Sequence, residues 1–168
     1  ATQKGKLERL EHIFGKVPGH VIYVPIDFNT QTLEQGLLES GYNTQQKSLF
    51  IWQGVSMYLT PEAVDATLSF VVHHSAPGSS IIFDYLYLAV LEGRQRRREV
   101  SSMCSYRFMS GEGLTFGIEE GAVETFLQER GFCQVKAVNA DDLKQAYFTG
   151  KNAGRKVAWG YGIAIGVL

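Results

Sequence analysis

Cysteine is scarce in this 168-residue chain: Cys104 and Cys133 are the only two, and neither stands at metal-ligand spacing. That excludes a disulfide scaffold and argues against a structural zinc site, and it suits a reducing, cytoplasmic setting. An excess of one charge is also lacking, since 16 Lys and Arg face 17 Asp and Glu for a net charge of −1. With no basic surplus the chain has no electrostatic footprint for nucleic acid beyond one local arginine cluster. Apolar runs stop well short of the roughly 18–20 residues of a membrane span. The opening Ala1-Thr2-Gln3-Lys4 lacks both an initiator Met and the apolar core of a signal peptide, so a trimmed or partial product with no membrane partner is expected. What is present is a composition 45% apolar and 20% charged, enough for a real core and unlike a disordered or fibrous chain.

Two periodicities alternate along that composition. Residues 3–14 place Leu7, Leu10, Ile13 and Phe14 at helical spacing, before Gly15 and Pro18 end the run. His20-Val-Ile-Tyr-Val-Pro-Ile26 is β-branched and nearly all apolar, the pattern of a strand buried on both faces. A helix from about 31 to 40, capped by Asn29 or Thr30 and closed by Gly41, is predicted next. Ser48–Trp52 reads as a second buried strand. Thr60-Pro61-Glu62 then supplies an N-cap, a proline at the first helical position and an acid in the first turn. Ser80–Phe83 is a third strand ending at Asp84-Tyr85, Glu119–Arg130 a helix, Phe132–Val138 a fourth strand, Asp141–Phe148 a short helix and Lys156–Leu168 a last strand. Residues 86–118 are less regular. Alternation of this kind predicts an α/β fold, a mostly parallel sheet with flanking helices.

Ligands of open parallel sheets bind at the carboxyl ends of the strands. The three clearest strands end at Asp27-Phe28, Gln53-Gly54 and Asp84-Tyr85, each an abrupt switch from apolar to polar. A single such ending is ordinarily a helix cap or a turn. Three on one rim describe a cleft that hydrogen-bonds a polar organic ligand such as an adenine or ribose, between the apolar faces of Phe28 and Trp52.

Sharper readings fail. Gly54-Val-Ser-Met-Tyr58 follows a strand like a nucleophile elbow, but Tyr58 stands where the second glycine should be. Gly111-Glu-Gly-Leu-Thr-Phe-Gly117 follows no strand and has the wrong spacing for a phosphate or dinucleotide loop, which also removes a nicotinamide-dependent oxidoreductase. His73-His74 has no ligand at metal spacing and reads as a solvated helix end. Arg94-Gln-Arg-Arg-Arg98 reads as a solvated helix face, the alternative being an anion-attracting rim over the cleft.

Taken together, Tyr23-Val-Pro-Ile-Asp-Phe28, Phe50-Ile-Trp-Gln-Gly-Val-Ser-Met-Tyr-Leu-Thr-Pro-Glu62 and Pro77-Gly-Ser-Ser-Ile-Ile-Phe-Asp-Tyr85 resemble the leucine carboxyl methyltransferase family of S-adenosylmethionine-dependent O-methyltransferases. The likeness covers essentially the whole chain and is most specific over Phe50–Glu62. It implies S-adenosylmethionine as cofactor, and a small-molecule or protein carboxylate or hydroxyl as methyl acceptor. By position, Asp27 would accept from the adenine amino group, Phe28 would lie beside the ring, and Gln53 with Gly54 would complete the cofactor site. The family carries glutamate at the place of Gln53; the amide keeps an acceptor but removes the charge. Tyr58, Asp84 and Tyr85 would line the acceptor pocket. No catalytic acid or base is implied, because methyl transfer from a sulfonium asks for alignment and water exclusion rather than proton transfer.

The resemblance also implies a partial class I, Rossmann-like methyltransferase fold lacking its first two strands, as a single partial domain over 1–168 with a cap region at 86–118. The full sheet order would be third, second, first, fourth, fifth, seventh, sixth, with the seventh antiparallel. No glycine-rich turn of the family's kind follows a strand in these residues, so weak or absent cofactor affinity is expected of the chain alone. The strand at 20–26 would face a gap of about 10 Å, with each orphaned amide costing about 1–3 kcal/mol. An exposed edge of that kind invites a second copy to pair with it, giving a homodimer, or a non-catalytic assembly module as the rival function.

Overall fold

The computed structural model describes residues 2–26, 31–94, 113–157 and 159–168. Its Cα packing divides the chain into two compact units, Ala1–Asn43 and Thr44–Leu168.

The first unit carries helix α1 (Thr2–Phe14) and helix α2 (Leu33–Glu39). The cap of α2 is Thr32, not Asn29 or Thr30, both of which lie outside the described residues. The reason is local: Thr32 and Gln35 form a capping box, in which Thr32 Oγ1 accepts from the Gln35 amide and Gln35 Oε1 from the Thr32 amide, each at 3.2 Å. The strand predicted at 20–26 is not formed. Residues 21–26 carry no sheet pairing, and Ile22 is 71% exposed. Val24 and Ile26 instead set their side chains on Gly36 of α2, so closely that a Cβ there would come within 2.8 Å of Ile26. An apolar, β-branched run has the propensity of a strand, but it becomes one only beside a partner backbone.

The second unit is built on a four-stranded sheet. Its strands are β1 (Leu49–Trp52), β2 (Ser80–Leu86), β3 (Gln134–Val138) and β4 (Tyr161–Val167), in the order β1-β2-β4-β3. β1 and β2 are parallel, whereas β4 is antiparallel to both β2 and β3. The mostly parallel sheet expected from alternation is therefore mixed. The order nevertheless agrees with the fourth, fifth, seventh and sixth strands of the implied fold, antiparallel insertion included. The last strand crosses back between two earlier ones because the short helix α6 (Ala140–Tyr147), capped by Asn139, turns the chain after β3.

Between the strands run α3 (Pro61–His73), the single-turn α4 (Leu88–Leu91) and α5 (Val123–Gln128), the last shorter than the 119–130 expected. Thr60 caps α3 as read from the sequence, its hydroxyl accepting from the Ala63 amide at 3.3 Å, with Pro61 in the first turn. α3 is amphipathic: Val64, Leu68 and Val71 are fully buried. α3 and α5 are tied by Arg130, whose Nε donates to Asp65 at 2.8 Å and whose guanidinium lies 3.6 Å over the Phe126 ring.

One face of the sheet is closed. Ile81, Phe83, Tyr85 and Ala164 are at most 2% exposed, and α3 reaches this face through Phe70, which meets Phe50 edge-on. The opposite face is more open, with Leu49 at 58% and Ile51 at 71% exposure. β1 is thus an edge strand with one covered face, rather than a strand buried on both.

Candidate functional site

The site sits where β1 stops and β2 goes on. Trp52, the last residue of β1, pairs with Phe83, and β2 continues through Asp84, Tyr85 and Leu86. The expected end of the third strand at Asp84-Tyr85 is therefore corrected: both residues are inside β2, because β4 pairs along its whole length. Alternation of the pleat then separates them. Asp84 stands level with the loop that leaves β1, and the Gly54 amide donates to its Oδ1 at 2.7 Å. Gly54 reaches that bond at φ +69°, a conformation that costs glycine little and a side chain much more.

The loop is fixed at several further points. Ser56 is fully buried, and its hydroxyl donates to the Asp84 carbonyl at 2.6 Å. Residues Ser56–Tyr58 form a 3₁₀ turn, in which the Met57 carbonyl accepts from the Thr115 amide at 2.9 Å. Thr115 also donates its hydroxyl to the Leu59 carbonyl at 2.7 Å. Loop 53–60 is thereby bound to β2, to segment 113–118 and to the start of α3, while Gln53 and Gly54 stay exposed at its tip.

Five of the seven site residues expected from the sequence lie in this unit, and four share the rim: Gln53 and Gly54 in the loop, Tyr58 at the end of its turn and Asp84 beneath it. Tyr58 is 44% exposed. With Asp84 it helps raise the pKa of Tyr161, for which burial is the larger cause. Tyr85 departs from expectation. It is 2% exposed, on the covered face, in an aromatic row with Phe83 at 6.0 Å and Tyr87 at 5.9 Å. Burial there, with the nearby Tyr87, Glu120 and Glu124, pushes its phenol up to about 12. A pocket-lining role for Tyr85 is corrected to a core role. Asp27 and Phe28 lie outside the described residues.

Sequence reasoning missed Ser56, Thr115 and Tyr161. The sequence does carry a signal for Ser56: a serine in a loop after an apolar strand is a ready donor to backbone. Thr115 and Tyr161 had none, being placed by long-range pairing. Of the motifs set aside, His73 keeps the exposed helix-end setting read for the pair, whereas His74 packs inward. His73 is exposed with Nδ1 2.8 Å from the Ser69 carbonyl, and His74 stacks on Phe70 at 5.1 Å. Gly117 packs against the backbone of Leu86 and Leu88 rather than cradling an anion. Arg94 is engaged by Glu92 and by Glu119, at 2.7 Å to the latter, while residues 95–98 lie outside the described residues. Among the described residues no group of His, Cys, Asp and Glu is placed to hold a metal ion, and no helix is long and apolar enough to cross a membrane.

A mixed sheet with an antiparallel strand inserted between β2 and β3, and with a polar loop at the carboxyl end of β1, has the strand order of the second half of a class I, Rossmann-like methyltransferase fold. Residues 1–72 match the family model described as Leucine carboxyl methyltransferase, so over that stretch the chain is similar to this family. Over 151 residues it is 29% identical to the protein of Bacillus subtilis (strain 168) named Putative S-adenosyl-L-methionine-dependent methyltransferase YktD, covering 90% of this chain and 49% of that protein. The chain thus spans about half the length of the curated relative it matches. Among solved structures, human N-acetylserotonin methyltransferase in complex with SAM aligns at TM-score 0.43 and 14% identity, over 71% of this chain and 28% of that one. Phosphoethanolamine N-methyltransferase 2 of Haemonchus contortus aligns at 0.46 and 9%, over 74% and 34%. The fold assignment rests on the strand order rather than on these scores.

Proposed function

We propose that this chain supplies part of an S-adenosylmethionine-dependent O-methyltransferase of the carboxyl methyltransferase type, acting on a carboxylate or hydroxyl acceptor. The observation that carries it is the loop Gln53–Tyr58, held at the common rim of two parallel strands with Gln53 and Gly54 presented outward. That rim is where ligands of this architecture bind. Asp27 would accept from the adenine amino group and Phe28 would shield the ring. Gln53, carrying an acceptor and a donor but no charge, would hydrogen-bond the cofactor's polar groups. Tyr58 and Asp84 would border the acceptor. The bound cofactor would supply an activated methyl group; the protein's share is alignment of the acceptor oxygen and exclusion of water.

Saturation-transfer NMR with S-adenosylhomocysteine tests this, because it detects binding even in the millimolar range. Transfer to the adenine protons is expected, reduced by Asp27→Ala and by Gln53→Ala. Transfer that is indifferent to both substitutions overturns the proposal.

A second reading has its own observation. Leu49 and Ile51, at 58% and 71% exposure, put large apolar side chains on a short edge strand that carries no charge. Such an edge pairs readily with another copy, which supports assembly as a non-catalytic role. Sedimentation at several concentrations separates the two: a symmetric dimer supports it and a monomer removes it.

A further inference from the structure

We infer that Asp84 is a positioning residue, whose carboxylate and carbonyl together latch the Gln53–Tyr58 loop into its cofactor-facing conformation. This rests on the proposed function above for its meaning, but not for its geometry. β1 ends at Trp52, so beyond Phe83 the β2 backbone has no β1 ladder to complete. Two side chains stand in for that ladder, in opposite directions. Asp84 accepts from the Gly54 amide through Oδ1, and Ser56 returns a hydroxyl hydrogen bond to the Asp84 carbonyl. The two bonds straddle Val55 and define the loop's course from both ends. A hydrogen bond to a carboxylate is among the stronger kinds, and 2.7 Å is a full-strength distance for an amide donor.

The latch also accounts for Gly54. Its amide turns toward Asp84 only at the positive φ of +69°, and nothing lies within 4 Å of where a Cβ would stand. The requirement for glycine is one of backbone conformation, not of space. Asp84 therefore acts on a ligand through Gln53 and Gly54, in addition to its own place at the rim.

The experiment is amide NMR on the whole 168-residue chain, with Asp84→Ala, Asp84→Asn and Ser56→Ala. In the wild type the Gly54 amide proton is expected well downfield and protected from exchange. Asp84→Ala should move it upfield and raise its exchange rate about tenfold or more, while the amides of α3 stay protected. Asp84→Asn keeps an acceptor and should restore most of the protection with a smaller downfield shift. Ser56→Ala should loosen Val55–Tyr58 while sparing the Gly54 shift, and it serves as the second probe if Asp84→Ala does not fold. In the saturation-transfer experiment with S-adenosylhomocysteine, Asp84→Ala should lower the signal and Asp84→Asn recover it, a split that general destabilisation would not produce. A Gly54 amide at its random-coil position, or one indifferent to Asp84→Ala, overturns the latch. Protein that shows the latch but whose transfer to the ligand is indifferent to Gln53→Ala overturns the cofactor reading instead.

Discussion

Tyr85 and Gly162 face each other across the β2–β4 pair, so closely that a Cβ on Gly162 would come within 2.5 Å of the Tyr85 hydroxyl. The side chain missing at 162 is the space the phenol occupies. Gly162→Ala must push Tyr85 out of its row with Phe83 and Tyr87, at a cost of about 1–3 kcal/mol. Chemical denaturation of the two chains measures it. The same change paired with Tyr85→Ala should cost less than the sum of the single changes, since the clash is then gone.

The same phenol sets a pH response. Its pKa in the folded chain is pushed up to about 12 from an ordinary value of 10, with burial the main cause. The unfolded chain therefore releases this proton first. Stability is complete below about pH 10 and declines as pH rises from 10 through 12. Tyr87 and Tyr161 are shifted in the same direction, so Tyr85→Phe should make the decline shallower without removing it. Denaturation midpoints at intervals across that range provide the check.

Helix α3 begins on a side-chain cap. Thr60→Ala removes the acceptor of the Ala63 amide and should cost about 1 kcal/mol, whereas Thr60→Ser should cost much less. Urea titration of both variants separates the hydroxyl from the methyl group.

Two isoleucines on neighbouring strands should answer oppositely. Ile81 is 1% exposed and Ile51 71%. Ile81→Ala should cost about 2–5 kcal/mol, while Ile51→Lys should change stability by no more than about 0.5 kcal/mol. Ile51→Lys should also lower any self-association seen by sedimentation, because an edge lysine opposes strand pairing. Association that survives the lysine would place the contact elsewhere.

The existence of the four strands, read at Ser48–Trp52, Ser80–Phe83, Phe132–Val138 and Lys156–Leu168, and of helices such as α3 was legible in the amino acids, though not their bounds, because each signal acts within a few residues. Thr60 meets Ala63, and buried positions recur at helical spacing along Val64, Leu68 and Val71. The rim was legible in part. Gln53, Gly54 and Asp84 were marked by their place after or late in apolar runs, and the family motifs singled out the same residues. His20–Ile26 shows the limit: its propensity is that of a strand, and no described partner realises it.

The sequence by itself determined that α3 begins at Thr60-Pro61, which runs are apolar enough to enter a sheet, and which family the motifs resemble. Only the tertiary structure decided that Asp84 spends its carboxylate on Gly54, thirty residues away, that Tyr85 points into the core, and that β4 inserts antiparallel between β2 and β3. The physical reason is one of range. Caps and periodicity are settled among residues adjacent in the chain, whereas the partner of a hydrogen bond across strands, and the face a side chain takes, depend on which distant backbone comes to lie alongside.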